Sequence, residues 1–227
     1  MKAIDLFCCS GGSSVGLKQA GFDSVTGVSW VEEPEYPFKL IVEDALKLTS
    51  EFLQKFDFIW ASPPCQAYSA GGNKESRKKY NDIVAPTREL LLKTGKPFVI
   101  ENVIQAPLRK DLLLCGEMFN LKVIRHRIFE IHGFYVPQIE HIKHRGTVSS
   151  GVYQGVYTGG RCGCFGNNKI RNKLKVGTIE DWQKAMGIKH ITTRKGLAEA
   201  VPPAYAKYIG ECFLKKINTK EIQLNLF

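Results

Sequence analysis

Short apolar runs, ended by glycine or proline and alternating with helical stretches, limit the fold of this chain more than any other feature. Ala3 to Phe7, Asp57 to Ala61 and Pro97 to Glu101 are too short for core helices and read as buried strands. Ser24 to Val28 and Lys39 to Val42 read as two more. Between them, Ser10-Gly11-Gly12-Ser13-Ser14 is a turn with possible capping hydroxyls. Val15, Leu17 and Ala20 then form a short amphipathic stretch that stops at Gly21. Ile83 to Lys93 has helical spacing, with Ile83, Val84, Leu90 and Leu91 facing a core and Pro86 in the first turn or at a kink. Strands alternating with helices predict an α/β fold with a doubly wound, mostly parallel sheet.

The pattern changes after Gly133. From Tyr135 to Lys189, glycines, basic residues and aromatics interleave. Val148 to Tyr157 alternates weakly like a hairpin, and Gly159-Gly160 reads as a turn. Helical spacing returns from Leu197 to Phe213, around Pro202-Pro203. The expected organisation is a main α/β unit over 1–133, a small β-rich lobe over 134–193, and a segment over 194–227 that returns to the main unit.

At 227 residues the chain can bury a substantial core, and 44% apolar with 24% charged residues excludes a disordered or collagen-like polymer. Thirty-two Lys+Arg against 22 Asp+Glu leave a formal charge of +10, which points to a polyanionic partner. No apolar run of membrane-spanning length occurs, and Asp5 interrupts what would be a signal peptide's apolar stretch. A cytoplasmic protein is expected, in a bacterial, archaeal or phage-infected cell. Seven cysteines without a disulfide-framework spacing are expected to be reduced.

Four motifs carry chemistry. Asp5-Leu6-Phe7-Cys8-Cys9-Ser10-Gly11-Gly12 places a glycine turn between a strand and a helix, where backbone N–H groups can meet a cofactor's polar atoms. It lacks the G-x-G-x-x-G of a dinucleotide site. Ser62-Pro63-Pro64-Cys65-Gln66-Ala67-Tyr68-Ser69 stiffens the chain after a strand and presents Cys65 at its C-terminal edge, as a nucleophile would be presented. Glu101-Asn102-Val103 ends another apolar strand, and an acid there is costly unless hydrogen-bonded or functional. Arg125-His126-Arg127 places two guanidinium groups at i and i+2 of a predicted strand, on one face.

In this order the pieces resemble the cytosine-C5 DNA methyltransferase family, in a minimal, phage-type form. The resemblance runs from Ala3 to about Phe129 and resumes over Ala198 to Gly210. It implies an S-adenosylmethionine-dependent enzyme with a Rossmann-like catalytic domain over 1–133 and a target-recognition lobe over 134–193. The Cys65 thiolate would add to carbon 6 of a cytosine flipped out of DNA. Glu101 would hydrogen-bond N3 and the exocyclic amine, and Arg127, supported by Arg125, would sit near the base carbonyl or the thiolate. Carbon 5 would then take the methyl group.

For the cofactor, the resemblance implies Phe7 beneath the adenine and Cys8, Cys9, Ser10, Gly11 and Gly12 along the turn. It also implies Ser29 and Trp30 at the second strand's end, Asp44 and Ala45 near the adenine amine, Pro63 beside the sulfonium, and Ala200 in the closing segment. DNA would meet Gln66 and Ser69, and the lobe's Lys143, Arg145, Arg161, Lys169, Arg171 and Lys173. A monomer is expected.

Departures leave alternatives open. Cys9 stands where the family usually has glycine, Glu199 where it often has asparagine, and Ser29 where it has an acid for the ribose hydroxyls. Glu32 or Glu33 is the candidate substitute. A modified sulfonium donor, a cofactor-impaired DNA-binding relative, and an enzyme acting on nucleotides or RNA are the alternatives. A zinc reading of Cys162-x-Cys164 with His141 and His144 lacks the usual ligand spacing, and no metal is expected.

Overall fold

The computed structural model describes residues 1–68, 80–157 and 177–224, with side chains as far as Ile217. Seven strands form one sheet in the order β3-β2-β1-β4-β5-β7-β6. They are β1 (Lys2–Leu6), β2 (Ser24–Ser29), β3 (Lys39–Val42), β4 (Phe58–Ala61), β5 (Phe98–Asn102), β6 (Leu112–Leu114) and β7 (Arg127–His132). β1 to β5 are mutually parallel, and β7 is antiparallel to both β5 and β6. The helices are α1 (Gly12–Ala20), α2 (Ser50–Leu53), α3 (Val84–Thr94), α4 (Ile179–Met186), α5 (Arg194–Glu199) and α6 (Pro203–Leu224). The predicted mostly parallel α/β sheet is therefore present, with one antiparallel strand inserted next to the edge.

Both faces of the sheet are covered, which is why its central strands are apolar without alternation. On one face Ala3, Phe58, Trp60 and Phe129 pack with Leu17 of α1 and Tyr205, Ile209 and Phe213 of α6. On the other, Ile4, Leu6, Ile59, Ala61 and Ile100 pack with Val84 and Leu91 of α3. α1 and α6 approach closely: a Cβ on Gly16 would stand 2.1 Å from the Pro203 carbonyl oxygen. Pro86 lies in the first turn of α3, where a missing N–H costs no helical hydrogen bond.

A third apolar cluster, including Trp182, Met186, Ile188, Ile191 and Leu197, joins α4 and α5. Among the described residues of the expected lobe, the predicted hairpin is not present. Val148 to Tyr157 forms turns rather than a hairpin, and the described residues of 134–193 contain a helix and no strand. Its glycine turn at Gly159-Gly160 lies outside the described residues. The two stretches predicted as one helical region over 197–213 are α5 and α6, separated at Pro202. No helix among the described residues is long and apolar enough to cross a membrane.

Candidate active site

Strand order reverses between β1 and β4, so their C-terminal ends open a crevice at the point where α/β folds gather ligands. The β1–α1 turn lines it. Phe7, Cys9 and Gly11 have φ of 61°, 44° and 85°, a left-handed backbone that winds the chain tightly into α1. Gly11 caps α1, and a Cβ there would meet the Tyr36 ring at 2.9 Å. A Cβ on Gly12 would stand 2.3 Å from the Val201 carbonyl oxygen and 3.2 Å from Ala200. These glycines thus admit Tyr36 and the 200–203 segment as well as any ligand.

Asp5 is wholly buried beneath the turn and accepts hydrogen bonds from Ser13 and Ser14, each 2.6 Å. Burial pushes its carboxyl up to about 7 against those bonds. Burial likewise pushes the Cys8 thiol far up and the Cys9 thiol up to about 12, so neither offers a thiolate near neutral pH.

The second strand's end departs from the family expectation in a readable way. Ser29 is buried, and its Oγ accepts from Val31 N at 3.4 Å. Trp30 beside it is 81% exposed. Glu33 comes from the following loop, and its Oε2 accepts from Ser10 Oγ at 3.4 Å. Burial, then Glu199, raise its carboxyl against that hydrogen bond and Lys195. Asp44 lies two residues beyond β3, exposed, and one of its carboxylate oxygens accepts from Leu46 N at 3.0 Å. Ala45 is buried beside it. A bare indole, two acids and a left-handed turn at three adjacent strand ends fit a cationic nucleoside cofactor.

Cys65 follows β4, partly exposed. Its loop is fastened to β5: Asn102 Nδ2 donates to the Pro63 carbonyl oxygen at 2.8 Å. The same end of β5 holds Glu101, 4% exposed, with Arg127 Nε 2.8 Å from its Oε1. Burial raises the Glu101 carboxyl, while Arg127, a hydrogen bond with Ser62, and Arg125 oppose that rise. Ser62 Oγ also accepts from Trp60 Nε1 at 2.8 Å, so the serine is held where it can serve Glu101. No hydrogen bond of good angle reaches Glu101 Oε1 among the described residues, although Arg127 stands beside it.

The two arginines are not equivalent, and only Arg127 lies in a strand. Arg125, just before β7, is buried and donates to the carbonyl oxygens of Val156 and Ala198. Burial, then repulsion by Arg127, push it down to about 9, with Glu101 and Cys65 acting the other way. Tyr205 of α6 donates to the Arg125 carbonyl oxygen at 2.7 Å. Cys65, Glu101, Arg125 and Arg127 are thus gathered at adjacent strand ends.

A family model for C-5 cytosine-specific DNA methylases matches residues 1–111. The type II methyltransferase M.HgiGI of Herpetosiphon aurantiacus is 31% identical over 123 residues, 48% of this chain and 96% of that one. This chain belongs to the C-5 cytosine-specific DNA methylase family. M.DdeI of Desulfomicrobium norvegicum is 32% identical over 117 residues, 46% of this chain. The chain spans only 28% of M.DdeI and 23% of M.FnuDI of Fusobacterium nucleatum. The S. pombe Dnmt2 methyltransferase structure superposes with a TM-score of 0.65 at 13% identity, covering 96% of this chain and 99% of that one. The fold is therefore shared well beyond the part alike in sequence.

For the family's nucleic-acid side, Gln66 and Lys143 are exposed. Arg145 is engaged by Glu117, 2.6 Å from its Nε, rather than projecting alone. Ser69, Arg161, Lys169, Arg171 and Lys173 lie outside the described residues, as do Cys162 and Cys164. Sequence reasoning missed Ser62 as a Glu101 partner, Tyr36 beneath the glycine turn, and His190, whose Nε2 lies 2.8 Å from the Ser10 carbonyl oxygen. Trp60 at i and Ser62 at i+2 share a strand face, the one signal that could have found the first.

Proposed function

We propose that this chain methylates carbon 5 of cytosine in DNA, with S-adenosylmethionine as donor. The observation that carries this reading is the junction of the Cys65 loop with the Glu101–Arg127 pair, fastened through Asn102 and Pro63. Bound S-adenosylmethionine supplies an electrophilic methyl group. Phe7, Trp30, Asp44 and Ala200 are the proposed cofactor contacts, with Pro63 facing the sulfonium. Glu33 takes the role of the ribose acid that Ser29 cannot fill, because its carboxylate already reaches the turn at Ser10.

Carbon 5 of cytosine is a weak nucleophile. Addition of the Cys65 sulfur to carbon 6 turns the C4–C5–C6 unit into an enamine, which is strongly nucleophilic at carbon 5. Negative charge then spreads towards N3. Glu101, whose burial favours its protonated form, can give N3 a hydrogen-bonded proton as that charge develops. Arg127 holds the Glu101 carboxyl in place, and Arg125, tied to Val156 and Ala198, is a fixed positive charge behind it. After transfer, loss of the carbon-5 proton and departure of the thiolate restore the aromatic ring.

A base in a duplex cannot reach such a pocket, so the cytosine is proposed to flip out, at a cost of a few kcal/mol. The +10 charge supports a polyanionic partner. Incubation with tritiated S-adenosylmethionine and mixed-sequence DNA, followed by nucleoside analysis, tests the reading. Label in 5-methyldeoxycytidine is expected. Label only in RNA or free nucleotides would overturn the DNA assignment, and cofactor binding without transfer to any of these would overturn the enzymatic one.

A further inference from the structure

Beside the Arg125–Arg127 segment, four potential metal ligands converge. Cys115 follows β6, His126 precedes β7, and His141 and His144 come from the segment after Gly133 that has no regular secondary structure. One ligand atom from each lies within 4.8 Å of all the others. His126 Nε2 and His141 Nε2 are 2.9 Å apart, and Cys115 Sγ is 3.3 Å from His144 Nε2. The three imidazole centroids form a near-equilateral triangle with sides of 5.0, 5.1 and 5.0 Å. Zinc–nitrogen and zinc–sulfur bonds of about 2.0 and 2.3 Å require tetrahedral edges of about 3.3–3.6 Å, close to these separations.

We propose that Cys115, His126, His141 and His144 form a structural zinc site that clamps the start of the recognition lobe to the β6–β7 edge. The donor set of one thiolate and three imidazoles selects a borderline-soft ion and disfavours magnesium or calcium, which take oxygen. Four protein ligands close the coordination sphere, so the ion is structural rather than catalytic. Cys115 is wholly buried and His141 exposed, so the site spans the boundary between sheet and lobe.

The location gives the ion something to hold. Residues 137–144 carry no helix or strand and are otherwise attached through side-chain bonds such as Gln138 to the Leu113 backbone. Two neighbours of the ligands belong to the proposed chemistry: His126 lies between Arg125 and Arg127. Fixing the His126 ring also fixes the peptide that presents both guanidinium groups. The site departs from the expectation of no metal, and it uses neither cysteine of the Cys162-x-Cys164 pair, whose spacing spoke against zinc.

The full chain, purified reduced and metal-stripped, is titrated with zinc against a chromophoric chelator, and separately with cobalt(II) followed by absorption. About one ion per chain is expected, with the intense visible bands of tetrahedral cobalt and a thiolate-to-cobalt band in the near ultraviolet. His141→Gln changes an exposed side chain and should weaken zinc binding by at least about tenfold while unfolding like the metal-free wild type. Cys115→Ser should abolish the thiolate band. Cys162→Ser/Cys164→Ser should keep both the stoichiometry and the band. No stoichiometric zinc in the wild type, zinc indifferent to His141→Gln, or zinc lost with the Cys162/Cys164 pair would each overturn the assignment.

Discussion

Removing Arg127 while keeping Glu101 strands a buried carboxylate. In the wild type Arg127 Nε is 2.8 Å from Glu101 Oε1, with the two side chains only 16% and 6% exposed. At an effective dielectric of about 20 their attraction is worth about 6 kcal/mol before desolvation is counted. Breaking a buried pair from one side costs about 3–5 kcal/mol. Arg127→Met should therefore destabilise the chain by that amount at pH 8, with Ser62 and Arg125 keeping the loss towards the lower end.

The sign of the pH dependence follows from the direction of the shift. Glu101 already sits above the usual carboxylate range, and losing Arg127 raises it further. A carboxyl raised on folding contributes stability below its unfolded pKa, and that contribution is lost as pH rises through the folded value. The penalty of Arg127→Met should thus shrink towards pH 5 and grow towards pH 8. Urea unfolding at each pH measures it, and Arg127→Met/Glu101→Gln should recover most of the loss at pH 8. A penalty independent of pH, or no recovery in the double variant, would refute the coupling.

Three further outcomes are expected. Glu101→Gln should lower the methyl-transfer rate by about 10² or more, since the amide cannot share a proton with N3; an unchanged single-turnover rate would make Glu101 structural. Glu33→Gln should weaken S-adenosylmethionine binding about tenfold by calorimetry, whereas Ser29→Ala should change it little; the reverse order would return the ribose contact to Ser29. Asp5, raised to about 7 on folding, should make the wild type lose about 1.4 kcal/mol per pH unit between about pH 4 and 7, and Asp5→Asn should flatten that slope in urea unfolding.

The central parallel strands β4 and β5 were legible because Phe58–Ala61 and Phe98 to Ile100 are continuous apolar runs, the first ended by Pro63-Pro64. β6 was not legible: Leu112–Leu114 is three residues long, too short for any periodicity. β7 starts at Arg127, two residues after the strand expected from Arg125, and continues past Glu130, which looks like a surface residue in the sequence. The fold buries that acid by giving it Arg88 Nε and Nη2 at 2.8 and 2.7 Å. α4 had a readable signal in Thr178 and Asp181, which cap its start reciprocally, but the basic, glycine-rich surroundings obscured it.

At the site, Cys65, Glu101 and Arg127 were legible because each stands at a strand end marked by its own motif. Glu33 was ambiguous with Glu32, since a loop residue's direction is not set by strand alternation. Ser62, Tyr36 and the Cys115–His126–His141–His144 group depend on contacts between elements distant in the chain. His141 and His144 are conspicuous in the sequence, but the cysteine beside His144 among the described residues, Cys115, stands 29 residues away in the chain, on the far side of β7.

The central claim is that the Cys65 sulfur attacks carbon 6. DNA containing 5-fluorocytosine tests it most directly, because fluorine in place of the carbon-5 proton blocks the elimination that would release the enzyme. With S-adenosylmethionine present, peptide mass spectrometry should find a fluorinated, methylated cytosine bound to Cys65, and Cys65→Ser should form no adduct. An adduct on Cys8, Cys9 or Cys115, or labelled product from Cys65→Ser at the wild-type rate, would contradict the account.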